Sequence, residues 1–251
     1  MRSGNPALND KTFLDIGTGR VVDTDSAMTL NGTVNKTAIL LMLVVFTAAY
    51  SWRLVGDVGT ASSPLLMPVL LGGLVGGLVF ALATIFKPTW SPISAPLYAL
   101  CEGLFLGAVS AIFEARYPGI VMQAVMLTFG TLAALLMAYR SGLIKATENF
   151  KLGVTAATGG IFILYLVNMG MRLFGFGGMP FIHESGAMGI AFSLFVVTIA
   201  ALNLVLDFDF IESGVDAGAP KHMEWYGAFG LVVTLIWLYI EFLRLLSKLR
   251  D

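Results

Sequence analysis

The sequence predicts an all-α membrane protein, a bundle of seven transmembrane helices. Hydrophobic residues make up 57% of the 251 residues and charged residues 12%, against about 25% charged residues in an average soluble domain. Polar residues are confined to the first 36 positions and to short gaps between apolar blocks. Seven of these blocks reach the roughly 20 residues that a helix needs to cross a bilayer. Because unpaired backbone groups are costly in lipid, each block should be helical.

The seven blocks are separated by charges, glycine and proline, and lie at 36–55, 64–86, 94–113, 119–139, 152–174, 186–206 and 225–247. Lys36 opens the first block and Lys87 follows the second. The third and fourth blocks are separated only by residues 114–118, where two charges and a proline favour a tight turn. These two blocks should therefore form an antiparallel hairpin. The fifth block begins after Lys151 and ends at a glycine-rich loop, the sixth ends at Asp207, and the seventh runs toward the C-terminus.

Basic residues predict the orientation, since Lys and Arg tend to remain cytoplasmic. With seven spans, nine basic residues lie on the N-terminal side and six on the opposite side. The N-terminus should then be cytoplasmic, on the same side as the gap at 207–224. A re-entrant last block would make the count twelve to three, but we keep seven spans. The predicted organisation is a polar arm at 1–35 followed by a seven-helix transmembrane domain at 36–251.

Glycines in the second and third blocks predict close helix packing. They are Gly72, Gly73, Gly76, Gly77, Gly103 and Gly107. Small residues four positions apart let helix backbones approach closely in lipid, where apolar surface gives no drive for association. We interpret these residues as intramolecular packing sites, and a lipid-facing dimer surface is the alternative.

Four acidic residues within or at the end of apolar blocks are candidates for an ion path, a proton relay or a switch. They are Glu102, Asp207, Asp209 and Glu241. A carboxyl near the middle of the bilayer must be protonated, paired or hydrated, so Glu102 should be buried in the bundle. Asn203 lies one turn before Asp207 and can share its face. Asp207 and Asp209 are equally well explained as interfacial residues that mark the end of a span.

Other acidic positions have simpler explanations. Glu241 is followed at i+3 by Arg244, which favours an interfacial ion pair with a snorkelling arginine. Asp216 and Glu224 lie in the polar gap between the last two blocks and should be solvated.

Several functional classes have no support in the sequence. A net charge of −1 offers no basic footprint for nucleic acid. His183 and His222 stand alone, and the single cysteine, Cys101, can form neither an intrachain disulfide nor a cysteine cluster for a metal. Nucleophile and phosphate-loop motifs are missing as well. We therefore expect no catalysis and no cofactor, with intramembrane proteolysis as a remote exception.

The last two blocks resemble a known family. The run from Ala201 to Glu212, a short polar gap, and the run from Trp237 to Leu246 resemble the C-terminal signature of the Bax inhibitor-1 family. The pair Glu102-Gly103 and the arm containing Ser3 to Ala7 look like its bacterial, YccA-like branch. The resemblance spans essentially the whole chain.

This resemblance implies a seven-helix bundle with the last helix central, and a pH-sensitive calcium leak channel of the inner membrane regulated by two aspartates. Asp207 or Asp209 matches the aspartate that closes the sixth helix. The second aspartate would stand at Leu238 or Thr234, so it is missing here. Glu241, seven residues after Thr234, lies on the same helix face about 10 Å further along. We expect one aspartate to face Thr234, with calcium as the permeant ion.

Two other functions are kept as hypotheses. YccA-like relatives are associated with a membrane-bound ATP-dependent protease, so a regulatory interaction protein is the alternative, with the polar arm at 1–35 as the contact site. A transporter is the third hypothesis. The lipid bilayer is the one partner common to all three.

Overall fold

Seven long helices form this computed structural model, which describes residues 27–56, 64–175, 177–179 and 186–251. The helices are α1 (Leu30–Gly56), α2 (Leu66–Phe86), α3 (Ser91–Arg116), α4 (Ile120–Arg140), α5 (Glu148–Leu173), α6 (Ala187–Asp216) and α7 (Met223–Arg250). All seven are long and apolar enough to cross a membrane. Within the described residues no strand accompanies them. The predicted seven-helix fold is confirmed.

The helix ends differ from the hydropathy boundaries at two places. Helix α1 begins at Leu30, so the last part of the predicted arm is helical, while residues 1–26 lie outside the described part of the chain. Helix α6 continues to Asp216, well beyond the expected end at 206. Hydropathy locates the apolar stretch that lies in lipid, and a helix can extend past that stretch into the interface. Asp207 and Asp209 therefore lie inside a helix and do not end one.

Local signals explain other helix ends. Helix α3 ends at Arg116 and α4 begins at Ile120, so a turn of three residues replaces the predicted linker at 114–118. Gly119 in this turn has a left-handed backbone with φ of 82°, which glycine adopts without steric cost. Helix α5 begins after Thr147, whose hydroxyl accepts a hydrogen bond from the Phe150 N–H at 3.3 Å, as N-cap residues do.

Helix α7 is the most enclosed of the seven. In its most apolar stretch 67% of residues are buried, against 44% in α3 and 11% in α5. The large exposed hydrophobic side chains lie mainly on the other helices, where lipid would cover them. Helix α7 therefore has the least exposed apolar stretch of the seven helices.

The described residues divide into two compact units. One, here called the α1–α3 unit, contains α1, α2, α3 and the residues 209–233, which close α6 and open α7. The other, called the α4–α5 unit, contains α4, α5, the part of α6 up to Phe208 and the part of α7 from Thr234.

Glycines pack the helices of the α1–α3 unit. On α3, Gly103 lies against Val44 and Thr47 of α1, and Gly107 lies against Ala48. A Cβ atom at Gly107 would come 2.8 Å from the carbonyl carbon of Ala48. The third helix therefore packs on the first through two positions that admit no side chain.

Helix α2 packs on α3 through glycines of its own. A Cβ at Gly73 would come 2.7 Å from the backbone nitrogen of Phe105, and one at Gly76 would come 2.8 Å from the Cys101 sulfur. Gly72, which we grouped with these positions, faces open space, with no heavy atom within 4 Å of a Cβ placed there. The helix is rotated so that only part of the predicted glycine set meets α3.

The α4–α5 unit has an apolar centre on α5, α6 and α7. Ile161, Val196 and Ile199 are buried together, with Tyr165 and Trp237 packed against them. Polar side chains of the same three helices border this cluster, and they form the candidate site.

Candidate functional site

Asp207 is the acidic group that lacks full compensation. Its carboxylate accepts a hydrogen bond from the hydroxyl of Thr234, which is 8% exposed. The other oxygen, Oδ2, is buried and has no hydrogen-bond partner among the described residues. Asp207 therefore contacts Thr234 of α7, the position that the family resemblance led us to expect for one of the two aspartates. A buried, unpaired carboxylate oxygen is costly, and either a proton or a cation at Oδ2 would remove that cost.

A third helix reaches the same region through Asn203, one turn before Asp207 on α6. Its side-chain Nδ2 donates to the Thr158 hydroxyl of α5 at 2.8 Å and to the Ile199 carbonyl at 2.8 Å. The i, i+4 spacing places Asn203 on the Asp207 side of the helix. Residues of α5, α6 and α7 thus contribute polar groups to one part of the α4–α5 unit.

Asp209 follows Asp207 by two residues on α6. Two residues along a helix turn the side chain by about 200°, and Asp209 belongs to the α1–α3 unit. The family resemblance left the choice between the two aspartates open, and Asp207 is the one with a hydrogen bond to Thr234.

Glu241 is the second candidate carboxylate, and three donors converge on its Oε1. Tyr165 donates from its hydroxyl at 3.1 Å, Trp237 from its indole N–H at 3.3 Å, and Arg244 from its guanidinium at 3.1 Å. Glu241 is only 2% exposed, and Arg244 also lies over the Tyr165 ring, 5.2 Å from its centroid. The expected pair with Arg244 is present, but the carboxylate is buried among aromatic residues. The Arg244 side chain is 43% exposed, so the pair reaches from this buried carboxylate toward the surface.

Lys248 was missed by the sequence analysis. It is 7% exposed, and its Nζ donates to the Ser193 hydroxyl at 2.8 Å and to the Gly189 carbonyl at 2.9 Å. Fourteen residues separate Ser193 from Asp207 on α6, and fourteen separate Thr234 from Lys248 on α7. Because Asp207 contacts Thr234 and Ser193 contacts Lys248, α6 and α7 run antiparallel. Each interval is about 21 Å of helix. The only sequence signal was a lysine at the end of an apolar helix.

Glu102 lies in the α1–α3 unit, at the packing surface of α2 and α3. It is half-buried, and its Oε2 would come 2.5 Å from a Cβ placed at Gly77. Gly77 thus makes room for the carboxylate. Glu102 is a member of a different compact unit from Asp207 and Glu241.

Glu224 corrects another expectation. It is fully buried, not solvated, and its Oε1 accepts hydrogen bonds from the N–H and the hydroxyl of Thr29 at 2.9 and 2.8 Å. Lys36 binds its Oε2, and Lys221 lies 3.1 Å from its Oε1. Gly32 lies directly against the carboxylate, where a side chain would collide with it. The Glu224 carboxylate thus links the start of α7 to residues at the start of α1.

Metal-ligand sets are absent from the described ranges, where no group of three or more His, Cys, Asp or Glu side chains could hold an ion. His222 lies outside the spans, is half-buried, and burial lowers its pKa below the usual 6.5. His183 lies outside the described residues. Cys101 is a free cysteine packed against Gly76.

A comparison with known families gives a match over nearly the whole chain. The sequence model of the family described as Bax inhibitor 1 like matches residues 5–251. No curated protein and no solved structure matches the chain. The family match covers all seven helices, including Asp207 on α6 and Thr234 on α7, so this chain belongs to the Bax inhibitor-1-like family.

Proposed function

We propose that this membrane protein is a proton-modulated cation leak pathway, in which Asp207 biases opening. The observation that supports the proposal most directly is the buried, unpaired Oδ2 of Asp207 beside the Thr234 hydroxyl. Intramembrane ionisable groups of this kind mark ion or proton pathways more often than structural positions. The resemblance to leak channels of the family points to the same residue, with calcium as the ion that it implies.

The mechanism follows from the two states of the carboxyl. In the charged state, Asp207 holds Thr234 of α7 by a charge-assisted hydrogen bond and attracts a cation to Oδ2. In the protonated state, that hydrogen bond weakens and the attraction is lost, so the contact between α6 and α7 changes. A change at one interhelical contact can shift the balance of closed and open states.

The test is cation flux from liposomes containing the purified protein, measured from pH 5 to 8. Asp207→Asn keeps the shape of the side chain and removes its charge, so both the flux and its pH dependence should change. Asp209→Asn is the matched control, because this aspartate is on another side of the same helix and should leave the profile unchanged. Equal profiles for the wild type and Asp207→Asn would refute the proposal.

We propose an inner-membrane location, which the family resemblance implies, and a cytoplasmic N-terminus, which the bias of basic residues favours. Assignment to the YccA-like branch draws on Ser3 to Ala7 and on Glu102-Gly103. The alternative function, regulation of a membrane-bound protease, depends on the arm at 1–35, of which residues 1–26 lie outside the described part. Deleting residues 1–26 should leave a cation leak intact and abolish regulation of a protease, which separates the two functions.

A further inference from the structure

We propose that Glu102 is a proton-binding site and that its proton controls how closely α2 packs on α3. The carboxyl and both helices lie in the α1–α3 unit. The leak function proposed above uses another carboxyl, Asp207, so the two proposals are independent of each other.

Glu102 lies near the middle of α3, a helix of 26 residues. About 16 Å of helix separates it from the first residue, Ser91, and about 21 Å from the last, Arg116. Because α3 is long and apolar enough to cross a membrane, this position corresponds to the hydrocarbon core and is remote from both interfaces. A charged carboxylate at that depth needs a partner or water, whereas a protonated carboxyl is neutral and needs them much less.

The Glu102 carboxyl has no compensating partner. Throughout the described ranges, no hydrogen bond and no ion pair joins it to another residue. The ionisable residues that lie close enough to feel its charge are Tyr98 and Cys101 of the same helix. Both are acids, so neither can supply a positive charge.

Basic side chains of the same unit lie at the ends of their helices or in the segments next to those ends. In the described part of the unit they are Lys36, Arg53, Lys87, Arg116 and Lys221. Lys36 and Lys221 bind Glu224 at the start of α7. The middle of α3, where Glu102 lies, therefore receives no cation from this unit.

Helix α2, which packs against Glu102, offers no hydrogen-bond donor to it. This helix has no ionisable residue, and its one side-chain donor, Thr84, gives its hydroxyl to Ser94 at 2.7 Å. Gly77 lies in the interior of α2, where backbone N–H groups are used within the helix. A Cβ at Gly77 would come 2.5 Å from the Glu102 Oε2. The surface of α2 thus has room for the carboxyl but cannot satisfy its charge.

The proton therefore decides whether α2 and α3 can remain in close contact. In the protonated state, Glu102 is neutral and fits beside Gly77. In the charged state, the carboxylate must draw in water or a cation, and α2 must move away from α3 to admit it. The close contacts of Gly73 and Gly76 with α3 would then be loosened.

Infrared spectroscopy of the purified protein in liposomes tests the proton directly, because a protonated carboxyl has a C=O stretching band that a carboxylate lacks. Spectra of the wild type and of Glu102→Gln are compared from pH 5 to 9. The difference between them should contain a protonated-carboxyl band that is present at pH 6 and lost as the pH rises. A difference spectrum without this band at pH 6 would show that Glu102 is charged in the packed protein, and would overturn the proposal.

Melting temperatures test the effect of the proton on packing. The packed protein holds a proton that the unfolded chain releases, so this stabilisation is present at low pH and is lost as the pH rises. Between pH 6 and 9 the wild type should lose melting temperature relative to Glu102→Gln. Parallel melting curves of the two proteins over this range would overturn the proposed control of packing.

Substitutions on α2 test whether this helix sets the state of the carboxyl. Gly77→Ala places a methyl group against the Glu102 carboxyl, whereas Gly72→Ala on the same helix meets open space. Gly77→Ala should change the pH at which the infrared band is lost, and Gly72→Ala should leave that pH unchanged. The same titration in both variants would overturn the link between Glu102 and α2.

Discussion

Glu224 at the start of α7 accepts two hydrogen bonds from Thr29, a residue 195 positions earlier in the chain. Together with Lys36 and Lys221, Thr29 surrounds a fully buried carboxylate. The four groups fix the segment before α1 to the last helix, and the backbone N–H of Met28 continues this contact by donating to the Ala219 carbonyl.

Glu224→Ala should destabilise the protein by about 1–3 kcal/mol, because it leaves the Thr29 donors and Lys36 without their acceptor. Lys221→Met is the control. Its side chain is 49% exposed, so its loss should cost at most about 1 kcal/mol. Thermal unfolding in detergent measures both variants. Equal melting temperatures for Glu224→Ala and the wild type would contradict the role assigned to this carboxylate.

Substitutions at two glycines should have opposite effects. Gly107→Ala brings a Cβ into the backbone of Ala48, and overpacking of this kind costs about 1–3 kcal/mol. Gly72→Ala meets open space and removes a flexible residue from a helix, so it should be neutral or stabilising by about 0.5–1 kcal/mol. Melting temperatures of the two variants, measured side by side, check the packing of α1 on α3. A Gly107→Ala protein as stable as Gly72→Ala would argue against that packing.

The pH dependence of cation flux should depend on the residue at 234. Thr234 gives Asp207 a neutral hydrogen-bond donor, whereas Thr234→Asp would place two carboxyls in contact, and two such groups tend to share one proton. We expect the flux of Thr234→Asp to vary more steeply between pH 5 and 8 than that of the wild type. Thr234→Ser, which keeps the hydroxyl, should retain the wild-type profile. An identical pH profile of the flux in all three proteins would show that Thr234 has no part in the pH response.

His222 should make stability weakly dependent on pH. Burial lowers its pKa in the folded protein below 6.5, so between the folded value and 6.5 the unfolded chain binds more protons than the folded one. Stability is then fully present above about pH 6.5 and decreases as the pH falls below it. His222→Gln should flatten this part of the curve, measured by thermal unfolding from pH 5 to 7.5. A slope unchanged by the substitution would assign the pH dependence to other groups.

Topology can be checked by cysteine labelling after Cys101→Ala. Ser213 is exposed on the last turn of α6 and Ser141 is exposed after α4, and an even number of spans separates them. Single cysteines at both positions and at Ser3 should react from the cytoplasmic side only. Labelling of Ser213 and Ser141 from opposite faces would overturn the count of seven spans, and labelling of both from outside would reverse the orientation.

Hydropathy was sufficient for the fold because the length and composition of each apolar block determine whether it crosses a bilayer. Contacts between helices depend on the rotation of each helix about its axis, which block boundaries do not define. Gly72 and Gly73 illustrate this. They are adjacent in the sequence, but Gly72 faces open space and Gly73 faces α3. The family resemblance supplied the partner helix and the position Thr234, but it left open whether Asp207 or Asp209 would make the contact.

The partners of Glu224 and Glu241 could not be predicted from the sequence, for a related reason. Glu224 looked solvated because it adjoins a polar gap, yet its donor Thr29 lies 195 residues away. Glu241 was correctly paired with Arg244, a local contact at i+3, while Tyr165 is 76 residues distant. Short-range spacing on one helix was therefore informative, and contacts across helices required the structure.

The hydrogen bond from Trp237 to Glu241 also provides an optical reporter. An indole whose N–H lies 3.3 Å from a buried carboxylate, next to the guanidinium that binds the same oxygen, emits fluorescence at a wavelength sensitive to those charges. The chain has four tryptophans, so replacing the other three with phenylalanine would isolate the signal of Trp237. Its emission could then follow rearrangements of α7 in real time, in the same vesicles in which transport is recorded.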